Sequence, residues 1–368
     1  MRHIRGPWPG LRLVASPRKS SPSRALGQSD HEVGATSVHA EHMRPLQRVV
    51  ALLALLATLT GCRTGITGAS WQSSIGREHR LVGRIWDVPA GRFADHATIM
   101  TRIAEARYVL LGEKHDNADH HLLQARTLRA LTAAGRHPAL AFEMFTPSKA
   151  DALARYLAAH PRDAEGIGEA VNWKASGWPE WAMYEPIAQA ALDAGLPIVA
   201  ANLDNERVRA VGRQGVAALD AAFVRRHALD QPLPVALRDA MAEDIRDSHC
   251  GHAPEERVGA MIGVQRARDA QMADALLTAP GKDGAVLIAG DGHARNDYGV
   301  PAYVRRIDPA ARTVSVALVE VDAKRIDVES YAERFGGRLP FDYVWFTPAV
   351  DDEDPCEKFR KSLERLRR

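Results

Sequence analysis

Short apolar runs, each stopped by a glycine or a polar residue, constrain the fold of this chain more than any other feature. Tyr108-Val-Leu-Leu-Gly112, Pro138-Ala-Leu-Ala-Phe142, Leu196-Pro-Ile-Val-Ala-Ala201 and Ala285-Val-Leu-Ile-Ala-Gly290 are almost continuously apolar. Strands with one wet face alternate; strands buried on both faces do not, and these runs do not. Helical periodicity follows them, through Leu122, Leu123, Ala125, Leu128 and Leu131 after the first run and over Ser148–Ala159 after the second. The pattern predicts an α/β fold, a mainly parallel sheet flanked by helices. Leu81–Val88 reads as a first strand, while the alternating Thr313–Val321 and aromatic Phe341–Phe346 read as late or edge strands. The economical organisation is one α/β domain over residues 81–348 with a charged tail over 349–368, acidic and then basic, read as a solvated helix.

Charge removes one class of function. The chain has 48 Lys/Arg and 46 Asp/Glu, of which 8 and 3 lie in the first 61 residues, leaving a body of 40 basic and 43 acidic side chains. A slightly acidic body lacks the electrostatic footprint of a nucleic-acid binder. No apolar run reaches the ~20 residues a spanning helix needs, which excludes a polytopic membrane protein.

The N-terminal region reads as an address. Residues 1–42 are rich in Ser, Arg, Pro and His without apolar periodicity, and are taken as an upstream extension, with Met43 as the working start. Met43-Arg-Pro-Leu-Gln-Arg48, the apolar Val49–Leu59 and then Thr60-Gly61-Cys62 give the charged, apolar and small-residue parts of a secretory signal over 43–61. Cysteine directly after the small residues resembles a bacterial lipobox, which implies lipidation of Cys62, a lipidated tether over 62–80 and attachment to a membrane of the bacterial cell envelope. Arg63 rather than Asp follows the cysteine; by bacterial sorting rules this implies the outer membrane, facing the periplasm. Cys250 and Cys356 remain, and sequence does not decide whether they pair; they read as structurally incidental.

In open parallel sheets, ligands sit beyond the carboxyl ends of the strands. The residues that follow the four runs are Gly112-Glu-Lys-His115-Asp116, Glu143, Asn202 with Asp204, and Gly290-Asp-Gly-His293. Two runs thus end in Gly-x-x-His, with glycine allowing a tight exit and histidine projecting over the edge. Together with a carboxylate at a third run, they predict one shared polar site of Glu113, His115, Glu143 and His293. Asp116, Asn117 and Ser148 read as helix caps.

Two further segments carry unusual residues. Trp173–Tyr184 holds three of the seven tryptophans, and Trp181 and Tyr184 share a helix face with Ala188 and Ala191. That stripe is either core packing or an apolar slot. In Val264–Leu277, Gln265, Arg268 and Asp269 share a stripe with Met272 and Leu276. Arg268 therefore either turns inward toward an anion (Glu113, Glu143 or a ligand) or snorkels outward. Lys114 is a loop cation of the same kind. His120 and His121 lie on opposite sides of a helix and cannot both face one ion, and His249 and His252 show no ligand spacing.

Taken together, Gly112-Glu-Lys-His-Asp116, Phe142-Glu-Met144, Trp178…Tyr184-Glu-Pro-Ile187, Val199-Ala-Ala-Asn202, Gln265…Arg268-Asp269…Met272 and Gly290-Asp-Gly-His293…Gly299-Val-Pro301 resemble the ChaN-type haem-binding uptake lipoproteins. That family belongs to a superfamily with Tiki peptidases and erythromycin esterases, marked by paired Gly-x-x-His motifs. The likeness spans roughly 109–304 and is weak over 205–260. It implies a surface-anchored haem carrier in iron uptake, acting as a homodimer that holds stacked haems, with iron on a tyrosine. Tyr184 is the tyrosine this points to, a phenolate being a hard ligand suited to ferric iron. His115, His293, Trp178, Trp181 and Arg268 would line the haem pocket. The competing reading is a metal-dependent hydrolase, a peptidase or esterase. There Glu113 or Glu143 would act as base while His115 and His293 hold a divalent metal or water. No Gly-x-Ser-x-Gly elbow accompanies the histidines, which weakens a serine hydrolase.

Overall fold

The computed structural model describes residues 71–360 except 355 and 359. The signal segment, the preceding extension, Cys62 and the first part of the tether lie outside the described residues. In chain order the elements are β1 (Ile85–Asp87), β2 (Arg92–Ala94), α1 (His96–Glu105), β3 (Tyr108–Glu113), α2 (Ala118–Ala133), β4 (Ala139–Phe142), α3 (Pro147–Ala159), α4 (Ile167–Ala170), α5 (Trp181–Asp193), β5 (Ile198–Ala200), α6 (Asn205–Gln214), α7 (Ala221–Arg226), α8 (Val235–Ser248), α9 (Glu255–Thr278), β6 (Ala285–Gly290), α10 (Asp291–Ala294), α11 (Val300–Ile307), β7 (Thr313–Glu320), α12 (Val328–Ala332) and β8 (Tyr343–Thr347), with short 3-10 turns at Trp173–Ala175, Val216–Ala218 and Glu333–Phe335.

The sheet runs β2-β1-β8-β7-β3-β6-β4-β5. The six strands from β8 to β5 are mutually parallel, and the β1–β2 hairpin adds antiparallel at one edge. This is the α/β class that the apolar runs imply. β3, β4 and β6 are buried along almost their whole length because helices cover both faces. One core layer, with Leu110, Leu287 and Phe346, packs under α9 and α11; the other, with Leu111, Phe142 and Ile288, packs under α2 and α5.

The structure corrects the sequence reading in several places. β7 and β8 are late strands, the last two in the chain, but neither is an edge strand: β7 lies between β8 and β3, and the hairpin β1–β2 takes the edge beside β8. Of the expected first strand Leu81–Val88, Ile85–Asp87 forms regular strand, with Gly83, Arg84 and Val88 making further backbone hydrogen bonds to the β8 segment, and β2 is an additional strand. Residues 71–80 of the supposed tether pack on the domain: Gln72 and Ser73 donate backbone N–H to Asp119 at 2.8 Å, and Ile75 bridges to Ala349. Cys250 and Cys356 form a disulfide across 106 positions. No described helix is long and apolar enough to cross a membrane.

Candidate functional site

Because the six strands are parallel, their carboxyl ends lie on one rim, and the residues that follow β3, β4 and β6 converge there. The two Gly-x-x-His loops are set by register: Glu113 at the end of β3 pairs with Gly290 at the end of β6. A Cβ at Gly290 would lie 2.9 Å from His115 Nε2, and one at Gly112 would lie 3.0 Å from both Asp291 Cα and Ala294 Cβ. Each motif's glycine thus makes room for the other motif.

Glu143, directly after β4, joins the two histidines. His293 Nε2 lies 3.4 Å from Glu143 Oε1 and His115 Nε2 lies 3.9 Å from Oε2. Gly290 N–H donates to Oε2 at 2.7 Å, and Arg268 Nη2 donates to Oε1 at 2.5 Å. Arg268 also donates to Asn202 Oδ1 at 3.1 Å, so the inward alternative is the one realised, with Glu143 as its anion. Behind His293, Asp269 Oδ1 sits 2.6 Å from Nδ1 and the Gln265 amide 2.9 Å away, which explains why polar residues share the inner stripe of α9.

Glu113 organises the other half. Its Oε1 lies 2.9 Å from His115 Nδ1 and accepts from the Tyr184 hydroxyl at 3.0 Å; its Oε2 lies 3.3 Å from His121 Nε2. The His121 ring packs on the Tyr184 ring at 4.1 Å. His121 belongs to the site, which helix periodicity alone did not reveal because it faces the sheet from α2 rather than following a strand. His120, on the opposite side of α2, accepts from Lys114 N–H at 3.0 Å and meets Thr347 Oγ1 at 2.8 Å, as a structural residue. Asn117 caps α2 by accepting from Asp119 and His120 N–H. Ser148 and Asp116 do not cap: Ser148 N–H donates to Asp204, and Asp116 pairs with Lys114.

Electrostatics follow from this packing. Burial pushes the Glu143 carboxyl up, but His293, Arg268 and His115 outweigh it and hold the group well below the carboxylate range. Glu113 is likewise held ionised against burial, by His121 and His115. Burial disfavours charge on His115, yet Glu113 and Glu143 raise its pKa to about 9. Burial raises Tyr184 far above an ordinary phenol, and Glu113 reinforces it, so the hydroxyl stays protonated.

The aromatic segment divides between core and rim. Trp181 is buried, donating Nε1–H to Ala164 O at 2.9 Å, and Tyr184 is 0% exposed, so the shared stripe of α5 is packed into the core. Trp178 reaches the rim, its ring 4.7 Å edge-on from the half-exposed His115 ring. Beside His293, a cavity of about 390 Å³ is lined by Gln265, Asp291, Ile245, Tyr298, Arg334 and Phe335 among others.

A family model described as "Haem-binding uptake, Tiki superfamily, ChaN" matches residues 99–304, more than half of the chain, including Glu113, His115, His121, Glu143, Tyr184, Arg268, Asp269 and His293. The chain belongs to that family. The solved structure described as cofacial haem binding to ChaN of Campylobacter jejuni superposes with a TM-score of 0.55 at 20% identity, covering 71% of this chain and 95% of that one. At that identity the likeness supports the shared fold. Other similar structures fall below a TM-score of 0.5 and carry no argument. They include an erythromycin esterase mutant, EreC, in its open conformation (0.37, 12% identity, covering 71% and 95%) and the type III effector HopBA1 (0.37, 13%, covering 68% and 92%). No curated protein matches the chain.

Proposed function

We propose that this ChaN-family protein is a lipid-anchored haem-binding protein of the bacterial cell envelope serving iron uptake, with ferric haem at the strand-end rim. The observation that carries the siting is the one half-exposed donor among the site's imidazoles: His115, 30% exposed at its side chain, with Glu113 behind Nδ1 and Trp178 beside the ring. An imidazole backed by a carboxylate is an oriented iron ligand once Nε2 gives up its proton in exchange for the metal. Tyr184, expected on the iron, has its hydroxyl enclosed and donated to Glu113, so the geometry favours His115 as ligand and Tyr184 as its support. Trp178 and the apolar part of the adjacent cavity offer surface to a porphyrin face. Arg268 is engaged by the buried Glu143 and by Asn202; the partly exposed Lys114, paired with Asp116 and Glu320, and Arg334, paired with Asp291, are the cations that would exchange surface partners for propionates.

Bound haem would supply a redox-capable iron; the chain's own residues hold and orient it. Export to the envelope is supported by the Val49–Leu59 stretch ahead of Cys62 and by the disulfide, which belongs to oxidising compartments. The cofacial haem described for the Campylobacter jejuni protein supports a homodimer with facing haems.

A second reading, hydrolysis, is favoured by one observation: two acid–histidine pairs, Glu113–His115 and Asp269–His293, meet at Glu143. Such pairs suit general acid–base work by the histidines. Among the described residues no group of three or more acidic, histidine or cysteine side chains is arranged to hold a metal ion.

Ferric haem titration followed at the Soret band tests both readings. We expect a defined ligated spectrum that survives Tyr184→Phe and is lost in His115→Ala. Loss in Tyr184→Phe alone would return the iron to tyrosine. Absence of binding, with ester or peptide cleavage that His115→Ala abolishes, would establish the hydrolase.

A further inference from the structure

The tail beyond β8 runs over the carboxyl ends of β7 and β3 and is fastened by a disulfide to Cys250, which follows α8. It starts at Thr347, and in the sheet β8 is separated from β6 by β7 and β3. Three strand spacings are about 14 Å, well within reach of a chain of this length. The first part of the tail is held over β7 and β3. Pro348 O accepts from Asn117 Nδ2 at 3.1 Å, and Val350 N–H donates to Glu320 Oε1 at 3.1 Å. Glu320 also pairs with Lys114 at 3.0 Å, inside the His115 loop. The tail then ends its span at Cys356, bonded to Cys250.

Cys250 follows α8, the helix that contributes Met241, Asp244, Ile245, Asp247 and Ser248 to the wall of the cavity beside His293. It has φ of 53°, a left-handed conformation normally left to glycine or asparagine at a helix end. A cysteine held there at a conformational cost aims its sulfur at the tail. Cys356 is exposed, so its sulfur is open to an attacking thiolate.

We propose that the Cys250–Cys356 disulfide is a thiol–disulfide exchange site that straps the tail across the rim, so that its reduction by a dithiol opens the way to His115 and the adjacent cavity. The dithiol's thiolate attacks Cys356 Sγ, and Cys250 leaves as a thiolate that takes up a proton. The dithiol's second thiol then resolves the mixed disulfide, releasing the Cys356 thiol and leaving the reductant oxidised. Covalent closure is lost at one end only, because the contacts of Pro348 and Val350 remain.

The full chain carrying Cys62→Ser, so that only the pair contributes thiols, is compared before and after dithiothreitol. The readouts are the rate of His115 modification by diethyl pyrocarbonate, mapped by mass spectrometry, hydrogen exchange over residues 350–360, and the far-ultraviolet spectrum. The expected result is two new thiols, a several-fold faster His115 reaction, faster exchange in the tail and an unchanged spectrum, with Cys356→Ser reproducing the reduced state. An unchanged His115 rate after both thiols appear would overturn the proposal, as would loss of the folded spectrum on reduction. The His115 rate is independent of haem: if it responds while haem fails to bind in either state, the strap stands and the haem reading falls.

Discussion

Gly290 and His115 belong to different Gly-x-x-His motifs, 175 positions apart, yet the histidine of the first fills the space where a side chain on the glycine of the second would stand, 2.9 Å from Nε2. The glycine therefore fixes where the imidazole can lie, beside Glu143 and under Trp178.

Alanine at the two motif glycines is expected to separate function from stability. In Gly290→Ala the obstructed atom is the end of a half-exposed ring, which can swing away, so stability changes by less than about 1 kcal/mol while haem ligation weakens. In Gly112→Ala the new carbon meets the backbone of Asp291 at 3.0 Å, which cannot move without shifting α10, and about 1–3 kcal/mol of stability is lost. Urea unfolding and haem titration of the pair check this; equal stability losses would contradict it.

Two histidines give stability opposite pH dependences. Burial depresses His120 to about 3, and it stays neutral because Lys114 N–H donates to Nδ1. Its unfolded form takes up a proton near 6.5. Its contribution is therefore complete above that pH and drains away as pH falls toward 3, on the order of 5 kcal/mol in all. His115, raised to about 9, stabilises fully below 6.5 and loses that contribution as pH rises through 9. Urea midpoints at pH 7, 6 and 5 should fall less steeply for His120→Asn than for the parent; parallel slopes would refute the assignment.

Arg268→Met leaves the buried Glu143 without its guanidinium while Gly290 N–H, His293 and His115 remain. Stability should drop on the order of 3 kcal/mol, since breaking one side of a buried pair strands a charge. A loss under 1 kcal/mol in thermal or urea unfolding would mean that the imidazoles alone neutralise Glu143.

Tyr184→Phe removes the hydroxyl bond to ionised Glu113 at 3.0 Å but keeps the ring packed on His121. The expected cost is about 1.5–3 kcal/mol, as for a bond to a charged acceptor. A variant as stable as the parent would place Tyr184's hydroxyl outside the support of Glu113.

The sequence by itself determined the parallel sheet and the rim of the site, because strands buried on both faces must be continuously apolar and whatever follows them in a parallel sheet shares an edge. Glu113, His115, Glu143 and His293 were legible for that reason. Tertiary structure alone decided the rest. Whether Tyr184 meets solvent or Glu113, whether Arg268 turns to Glu143, and that His121 joins from a neighbouring helix all depend on how helix faces rotate against the sheet. That rotation is set by packing of residues far apart in the chain. The Cys250–Cys356 bond is of the same kind: 106 positions of intervening chain had to fold before the two sulfurs could meet.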